Sequence, residues 1–175
     1  MASPAALRAG VSLVAEPLSF ARLPEALRAR WTAHSQALLD SFRARVGREL
    51  ILRGRDAREE AERLFGAAFV VVSHGPEADP ILNYGNAPAL ALWELSPDEL
   101  IATHSRLTAE AELREAREHV LQETARNGFI AGYTGLRVSK TGRRFRIAGV
   151  TIWNVTDADG RLVGQAATFA HWERL

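Results

Sequence analysis

The chain has 175 residues, of which 47% are hydrophobic and 25% charged, the proportions of a folded globular domain and not of a disordered or fibrous chain. That length holds one domain with an extra helix or arm and is cramped for two. The 22 Lys and Arg balance 21 Asp and Glu to a formal net charge of +1, and there is no cysteine, so a long-range field for nucleic acid or an anionic membrane, disulfides, zinc-thiolate sites and thiol nucleophiles are all excluded.

No secretory h-region opens the chain and no apolar run approaches the roughly 18 to 20 residues of a membrane span, so the expected location is the cytoplasm, without a membrane partner. Residues 1–22 are rich in Ala, Ser and Pro and read as a flexible arm, in which Val11, Leu13 and Ala15 can alternate as a short strand. Residues 23–54 read as a helix and its connection. Leu27, Trp31, Leu38, Phe42 and Val46 recur at spacings of four and seven, and Gly47 stands where a left-handed cap ends such a helix. Trp31 and Phe42 must pack on the sheet or on a second copy, which makes this helix the expected contact of a homodimer.

A second helix starts after Asp56, whose side chain caps it while Glu59 reaches back; Ala57, Ala61, Leu64 and Phe65 face inward and Gly66 closes it. Ala68–Ser73 reads as a buried strand ending in the His74-Gly75-Pro76 turn, and Ile81–Tyr84 as a second short strand. Asn86 caps a helix running to Leu95, and Ser96-Pro97-Asp98-Glu99 supplies the cap, N1 proline and N3 glutamate of another. A longer helix is expected over about Thr108 to Ala125, with Ala109, Leu113, Ala116, Val120 and Thr124 on one face, stopped by Asn127-Gly128. Strand-like runs then cover 129–139, 143–155 and 161–172, joined as hairpins by Lys140-Thr141-Gly142 and Asp157–Gly160. The order implies an α+β domain, an antiparallel sheet with helices laid across one face.

Five stretches carry a resemblance: Ser73-His74-Gly75, Ala78 to Asn86, Ser105-Arg106-Leu107, Thr141 to Ile147, and Gly164 to Phe169. Over roughly residues 35 to 170 they are similar to the bacterial, stand-alone form of the MEKHLA domain, a PAS-related family. The plant hexapeptide is absent, and the chain has neither the DNA-binding module nor the heptads of the plant regulators. The resemblance implies a PAS-like five-stranded antiparallel sheet covered by helices, assigned to residues 55–175, enclosing a small-molecule pocket. It implies a sensory, ligand-binding or protein-interaction module and fixes no cofactor, ligand or reaction, so enzyme activity is not expected.

His74, Glu77, Asp79, Asn83 and Asn86 form the densest polar cluster and can line a pocket. His74 with Glu77 and Asp79 offers ligands for a divalent metal or an acid/base pair; against this, His74 and Asp79 can satisfy loop amides and Asn86 can be an N-cap. Ser105 and Arg106 precede the long helix, where a guanidinium can clamp a carboxylate or phosphate or simply pair with Asp79. Arg143, Arg144 and Arg146 surround a hairpin turn, with Arg144 and Arg146 opposite Phe145 and Ile147; Arg146 stands as an anion contact, or all three as a solvated face too small for nucleic acid.

Gln165 lies mid-strand, where its amide must meet a ligand or a buried backbone group. Trp153 shares its alternating face with Phe145, Ile147 and Val155 unless Gly149 bulges the strand and inverts the alternation. The candidate ligand-binding set is therefore His74, Asp79, Asn83, Asn86, Ser105, Arg106, Arg146, Trp153 and Gln165, with no catalytic or metal residue assigned. The resemblance also points to His119, where some heme-binding PAS domains carry an axial histidine, although it sits at the flank of the apolar face among charges. No phosphate loop, nucleophile elbow or dinucleotide fingerprint occurs. Two alternatives stay open: a small enzyme using His74 and Asp79 with Arg106 as electrophilic clamp, which requires a pocket converging on all three, and a cone-shaped fold of the nuclear-transport-factor or ketosteroid-isomerase type.

Overall fold

The computed structural model describes residues 18–175; the possible strand at Val11–Ala15 and most of the expected arm lie outside them. The first long helix, α1 (Glu25–Val46), ends on Gly47 at φ 81°, as its spacing predicts. Its stripe is buried: Trp31, Leu38 and Phe42 have no exposure. Phe42 meets Trp153 edge-on at 4.9 Å, and Trp153 Nε1 donates to Ser41 Oγ at 3.0 Å. Trp31 Nε1 donates to the Asn83 carbonyl at 2.9 Å. Each large apolar side chain so buried contributes roughly 1.5–3 kcal/mol. The stripe is thus covered by the chain's own sheet, so the packing need that pointed to a second copy is met within one chain. At the end of the expected flexible arm, Phe20 is buried against Phe65, ring centres 5.6 Å apart.

The second helix, α2 (Ala57–Phe65), is capped by Asp56, which accepts from the Glu59 amide at 2.9 Å. Glu59 reaches back one residue further than expected, to the Arg55 amide, because the Arg55 and Arg63 guanidiniums flank it.

One antiparallel sheet contains β1 (Val70–His74), β2 (Leu82–Gly85), β3 (Phe129–Val138), β4 (Arg144–Thr156) and β5 (Leu162–Phe169) in the spatial order β2-β1-β5-β4-β3, and β6 (His171–Arg174) also pairs with β4. The expected single run 161–172 is two strands, broken at Ala170: β5 pairs with Thr151–Thr156 and β6 with Phe145–Ala148. The break lies opposite Gly149, which at φ 65° bulges β4. That bulge inverts the alternation. Phe145 and Ile147 share one apolar cluster with Val150 and Ile152, whereas Trp153 and Val155 belong to the cluster built on α1.

The other sheet face carries α3 (Ala87–Trp93), α4 (Pro97–Leu100) and α5 (Arg114–Asn127). Helices therefore cover both faces, not one as the element order implied. Asn86 caps α3 and does more: Oδ1 accepts from the Val71 and Ala89 amides at 2.9 and 3.3 Å, and Nδ2 donates to the Phe69 and Leu64 carbonyls at 2.8 and 3.3 Å. The Ser96 and Glu99 capping box of α4 forms as predicted. The long helix starts at Arg114 and not at Thr108, because Ser105–Thr108 and Ala111–Leu113 are separate 3-10 turns. Those turns carry the chain around the edge of a cavity.

Truncating Phe42 removes the ring that separates α1 from Trp153, so Phe42→Ala is expected to cost about 3–5 kcal/mol, measured as a lowered urea midpoint with Trp153 as reporter.

Candidate functional site

Between the sheet and α5 lies a cavity of about 60 Å³. Its apolar wall comes from Val72, Leu82, Leu121, Ile147, Val150, Ile152, Ala167 and Phe169, and its polar wall from His74, Trp93, Thr108, Arg117, Arg137 and Gln165. A volume of this size holds roughly four or five water-sized spheres, so the occupant it suits as it stands is small and far below a flavin or heme.

Two ring nitrogens on this wall, Trp93 Nε1 and His74 Nε2, are buried without a hydrogen-bond partner. His74 Nδ1 lies 2.8 Å from the Gly75 carbonyl; a carbonyl can only accept, so Nδ1 carries the proton and Nε2 of the neutral ring is an acceptor. Burial above all lowers the His74 pKa, and the charge of Arg117 adds to this. Close backbone approach shapes the mouth. Gly164 sits so near the His74 carbonyl that a Cβ there would fall 1.9 Å from the oxygen, and only glycine lets β5 pass.

Arg117 is the buried residue that the periodicity did not single out. It lies on α5 four residues after Leu113, and its guanidinium donates to Ser105 Oγ at 2.9 Å. Burial, and then the charge of Arg137, lowers its pKa to about 10. Arg137 reaches the same cavity from β3, stacked over Tyr133 at 5.5 Å and donating to the Leu136 carbonyl at 2.7 Å. A charged residue on the otherwise inward face of a helix was the available signal for Arg117; the register shifts of β3 around Tyr133 hid Arg137.

Of the expected ligand contacts, only His74 and Gln165 line the cavity. Gln165 also clamps: Nε2 donates to the Leu121 carbonyl at 2.9 Å and to Asn154 Oδ1 at 3.0 Å, tying α5 to β4 and β5. Ser105 stands behind the wall and positions Arg117. The others serve elsewhere. Asp79 pairs outside with Arg106 at 3.0 Å and His104 at 3.1 Å, so His74, Asp79 and Arg106 do not converge on one cavity as the enzyme alternative requires. Asn83 faces α1, where its Oδ1 accepts from Ser73 Oγ at 2.6 Å. Asn86 is the buried cap described above, Arg146 is exposed beside Glu173 at 3.6 Å, and Trp153 faces α1 because of the Gly149 bulge. Among the described residues no group of three or more His, Cys, Asp or Glu side chains can hold a metal, so His74, Glu77 and Asp79 are not a ligand set. His119 is exposed on α5, away from this cavity.

The MEKHLA domain model matches residues 32–174. No curated protein matches the chain. Among solved structures, a PAS domain from Colwellia psychrerythraea superposes with a TM-score of 0.56 at 13% identity, over 67% of this chain and 95% of that one. The light-state dimer of the fungal blue-light photoreceptor Vivid gives 0.52 at 14%, over 76% and 90%, and a light-oxygen-voltage domain carrying a flavin analogue gives 0.52 at 17%, over 67% and 84%. The fold is that of the PAS and light-oxygen-voltage domains, which replaces the cone-shaped alternative.

Behind the sheet, His34 of α1 continues the Ser73 and Asn83 network. Its Nε2 lies 2.9 Å from Ser73 Oγ, and burial, with Arg30 nearby, lowers its pKa from 6.5 to about 4. The unfolded chain therefore takes up this proton first, and stability that is complete above pH 6.5 declines down to about pH 4. At about 1.4 kcal/mol per unit the loss is roughly 3 kcal/mol. Glu59 and Glu99, each held at about 2 chiefly by its cationic partners, act in the same direction one window lower, losing their contribution only as pH falls from about 4.5 towards 2. In chemical denaturation at stepped pH, His34→Gln is expected to flatten the profile between 6.5 and 4, leaving the weaker slope from His74, and to leave the acid limb unchanged.

Proposed function

This chain belongs to the MEKHLA domain family, and on that ground we propose that it is a sensory module of the PAS type that takes a small molecule into the cavity between sheet and α5. The observation that carries the reading is the pair of buried, unpartnered nitrogens, the donor of Trp93 and the acceptor of His74, on one cavity wall. A buried polar group without a partner costs on the order of 1–3 kcal/mol; an occupant offering an acceptor relieves Trp93, and one that also offers a donor relieves His74 as well. The proposed contacts are His74 and Gln165 from the expected set, joined by Trp93, Thr108, Arg117 and Arg137.

The route out of the cavity in this reading runs through the sheet, which is the common wall of cavity and α1. His74 lies at the cavity while its neighbour Ser73 faces His34, and Gln165 holds α5. An occupant that moves His74 or Gln165 acts on one helix layer directly and on the other through adjacent residues of one strand. Among the described residues no helix is long and apolar enough to cross a membrane, and a cytoplasmic location belongs to the same reading.

Native mass spectrometry of the gently purified full chain, with an absorption spectrum on the same sample, tests it. The expected result is a retained mass small enough for the cavity and lost in Ala167→Leu, which fills the space from β5 at a stability cost of about 1–3 kcal/mol. The same bound mass in Ala167→Leu, or none in either protein, would count against the cavity as a ligand site.

A further inference from the structure

The cavity wall is electrically unbalanced. Arg117 and Arg137 are each 8% exposed, line the same cavity, and stand close enough for the charge of one to act on the other. Neither forms an ion pair with a carboxylate among the described residues: Arg117 donates to a serine hydroxyl, and Arg137 to its neighbour's carbonyl while stacking on Tyr133. The arginines nearby in the fold behave differently, since Arg106, Arg143 and Arg144 each hold a carboxylate at the surface. Charges withdrawn from water and left without a partner cost more than paired ones, whose attraction offsets part of the desolvation. Glu118, whose charge acts on Arg117 without forming an ion pair with it, lines the outer cleft beside His74 and not the cavity.

The remaining orphan donor, Trp93 Nε1, is on this wall as well, in a residue only 4% exposed. Three donor groups thus share one small space, two of them cationic forks whose geometry fits the two oxygens of a carboxylate. The neutral His74 Nε2 is an acceptor and takes no part in holding an anion. The rest of the lining is hydrocarbon: Val72, Ile147, Val150, Ile152 and Phe169 offer nothing to the third and fourth oxygens of a phosphate or sulfate but suit a short alkyl tail. From the cationic pair, the indole donor and the apolar floor, we propose that the ligand of this site is a short-chain carboxylate, its head on Arg117 and Arg137 and its tail against β4 and β5. This rests on the cavity being a ligand site and names the class of what it takes. The volume limits the occupant to about four or five non-hydrogen atoms, and Ser105 acts as a positioning residue that holds the Arg117 fork towards the space.

The experiment is titration of the full chain, in a buffer free of carboxylates, followed by calorimetry and by thermal shift. The probes are sodium acetate, propionate and butyrate, with propionamide and 1-propanol as neutral counterparts, propylamine as a cation and inorganic phosphate as an anion without a tail. The expected result is saturable binding of acetate or propionate, with propionate at least tenfold tighter than propionamide and tighter than phosphate, and with butyrate weaker because it exceeds the volume. Arg117→Gln and Arg137→Gln are each expected to weaken carboxylate binding tenfold or more while the unliganded variants melt no lower than the parent, because each removes an uncompensated charge. Arg137→Lys, which keeps the charge but not the fork, is expected to recover part of the affinity. If a variant fails to fold, Ser105→Ala gives the same test without touching a charge, expected to weaken carboxylates and not propionamide. Binding of the neutral or cationic probes with no preference for carboxylates, or carboxylate binding indifferent to both arginine substitutions, overturns the ligand class and leaves the cavity reading standing. Failure of every probe to bind, with no retained mass in the native spectrum, removes both together.

Discussion

A strand turns successive side chains to opposite faces, so one extra residue exchanges the faces for everything beyond it. In β4 that residue is Gly149, held at φ 65°, and the two helix layers depend on it. Before the bulge, Phe145 and Ile147 face α3 and the cavity; after it, Val150 and Ile152 keep that face while Trp153 turns away to meet Phe42 and Ser41 of α1. Without the exchange, the indole would fall into the cavity and α1 would rest on smaller residues. A side chain larger than hydrogen at Gly149 meets no neighbour within 4 Å; what restricts the position is the backbone angle, which costs other residues roughly 1 kcal/mol or more.

The two faces of the sheet carry different chemistry. On the α1 face both indoles and the strand polar groups are bonded: Trp31 finds the Asn83 carbonyl, Trp153 finds Ser41, and Ser73 joins His34 to Asn83, while the Ser35 and Tyr84 hydroxyls stay buried without a partner. The α5 face leaves Trp93 and His74 open and buries two guanidiniums that form no ion pair among the described residues. Satisfied polar networks specify a packing, and unsatisfied ones store cost that folding alone does not recover. The asymmetry is the reason to place ligand binding on one side and structural support on the other.

The fold was legible because its elements follow local rules. The four- and seven-residue spacing of Leu27, Trp31, Leu38 and Phe42, the caps at Asp56, Asn86 and Ser96, and the hairpin turns at Lys140 and Asp157 each act within a few residues, and each element formed close to where it was expected. The site was less legible, for two physical reasons. Dense polar segments draw the eye, yet in the stretch from His74 to Asn86 most of those side chains bond to the turn, the cap or each other, as Asx residues in loops commonly do. The groups that do line the cavity come from distant elements, Trp93 from the end of α3, Arg117 from α5 and Arg137 from β3, and only the register of β3 on β4 brings them together. Gln165 was the exception, since a glutamine in mid-strand must find a partner; it found the Leu121 carbonyl while still bordering the cavity. Trp153 failed as a contact on the very contingency its sequence contained, the glycine four residues before it.

The unpaired guanidiniums bear on how such a domain can respond to a ligand. An occupant that binds only the folded state stabilises it in proportion to its concentration over its Kd, and here the stabilisation falls on α5 and the turns before it, because Arg117 is held by Ser105 at one end of that segment and Gln165 holds Leu121 nearer the other. The α1 layer, which does not border the cavity, gains nothing directly. A ligand that strengthens one layer and leaves the other unchanged alters the balance between them, and the shared wall is where that difference is felt: residues 73 and 74 are consecutive, one bonded towards α1 and the other bordering the cavity. If the cavity is the ligand site proposed above, two helical layers on one sheet, only one of which borders it, provide the differential between occupied and empty states that a sensor requires.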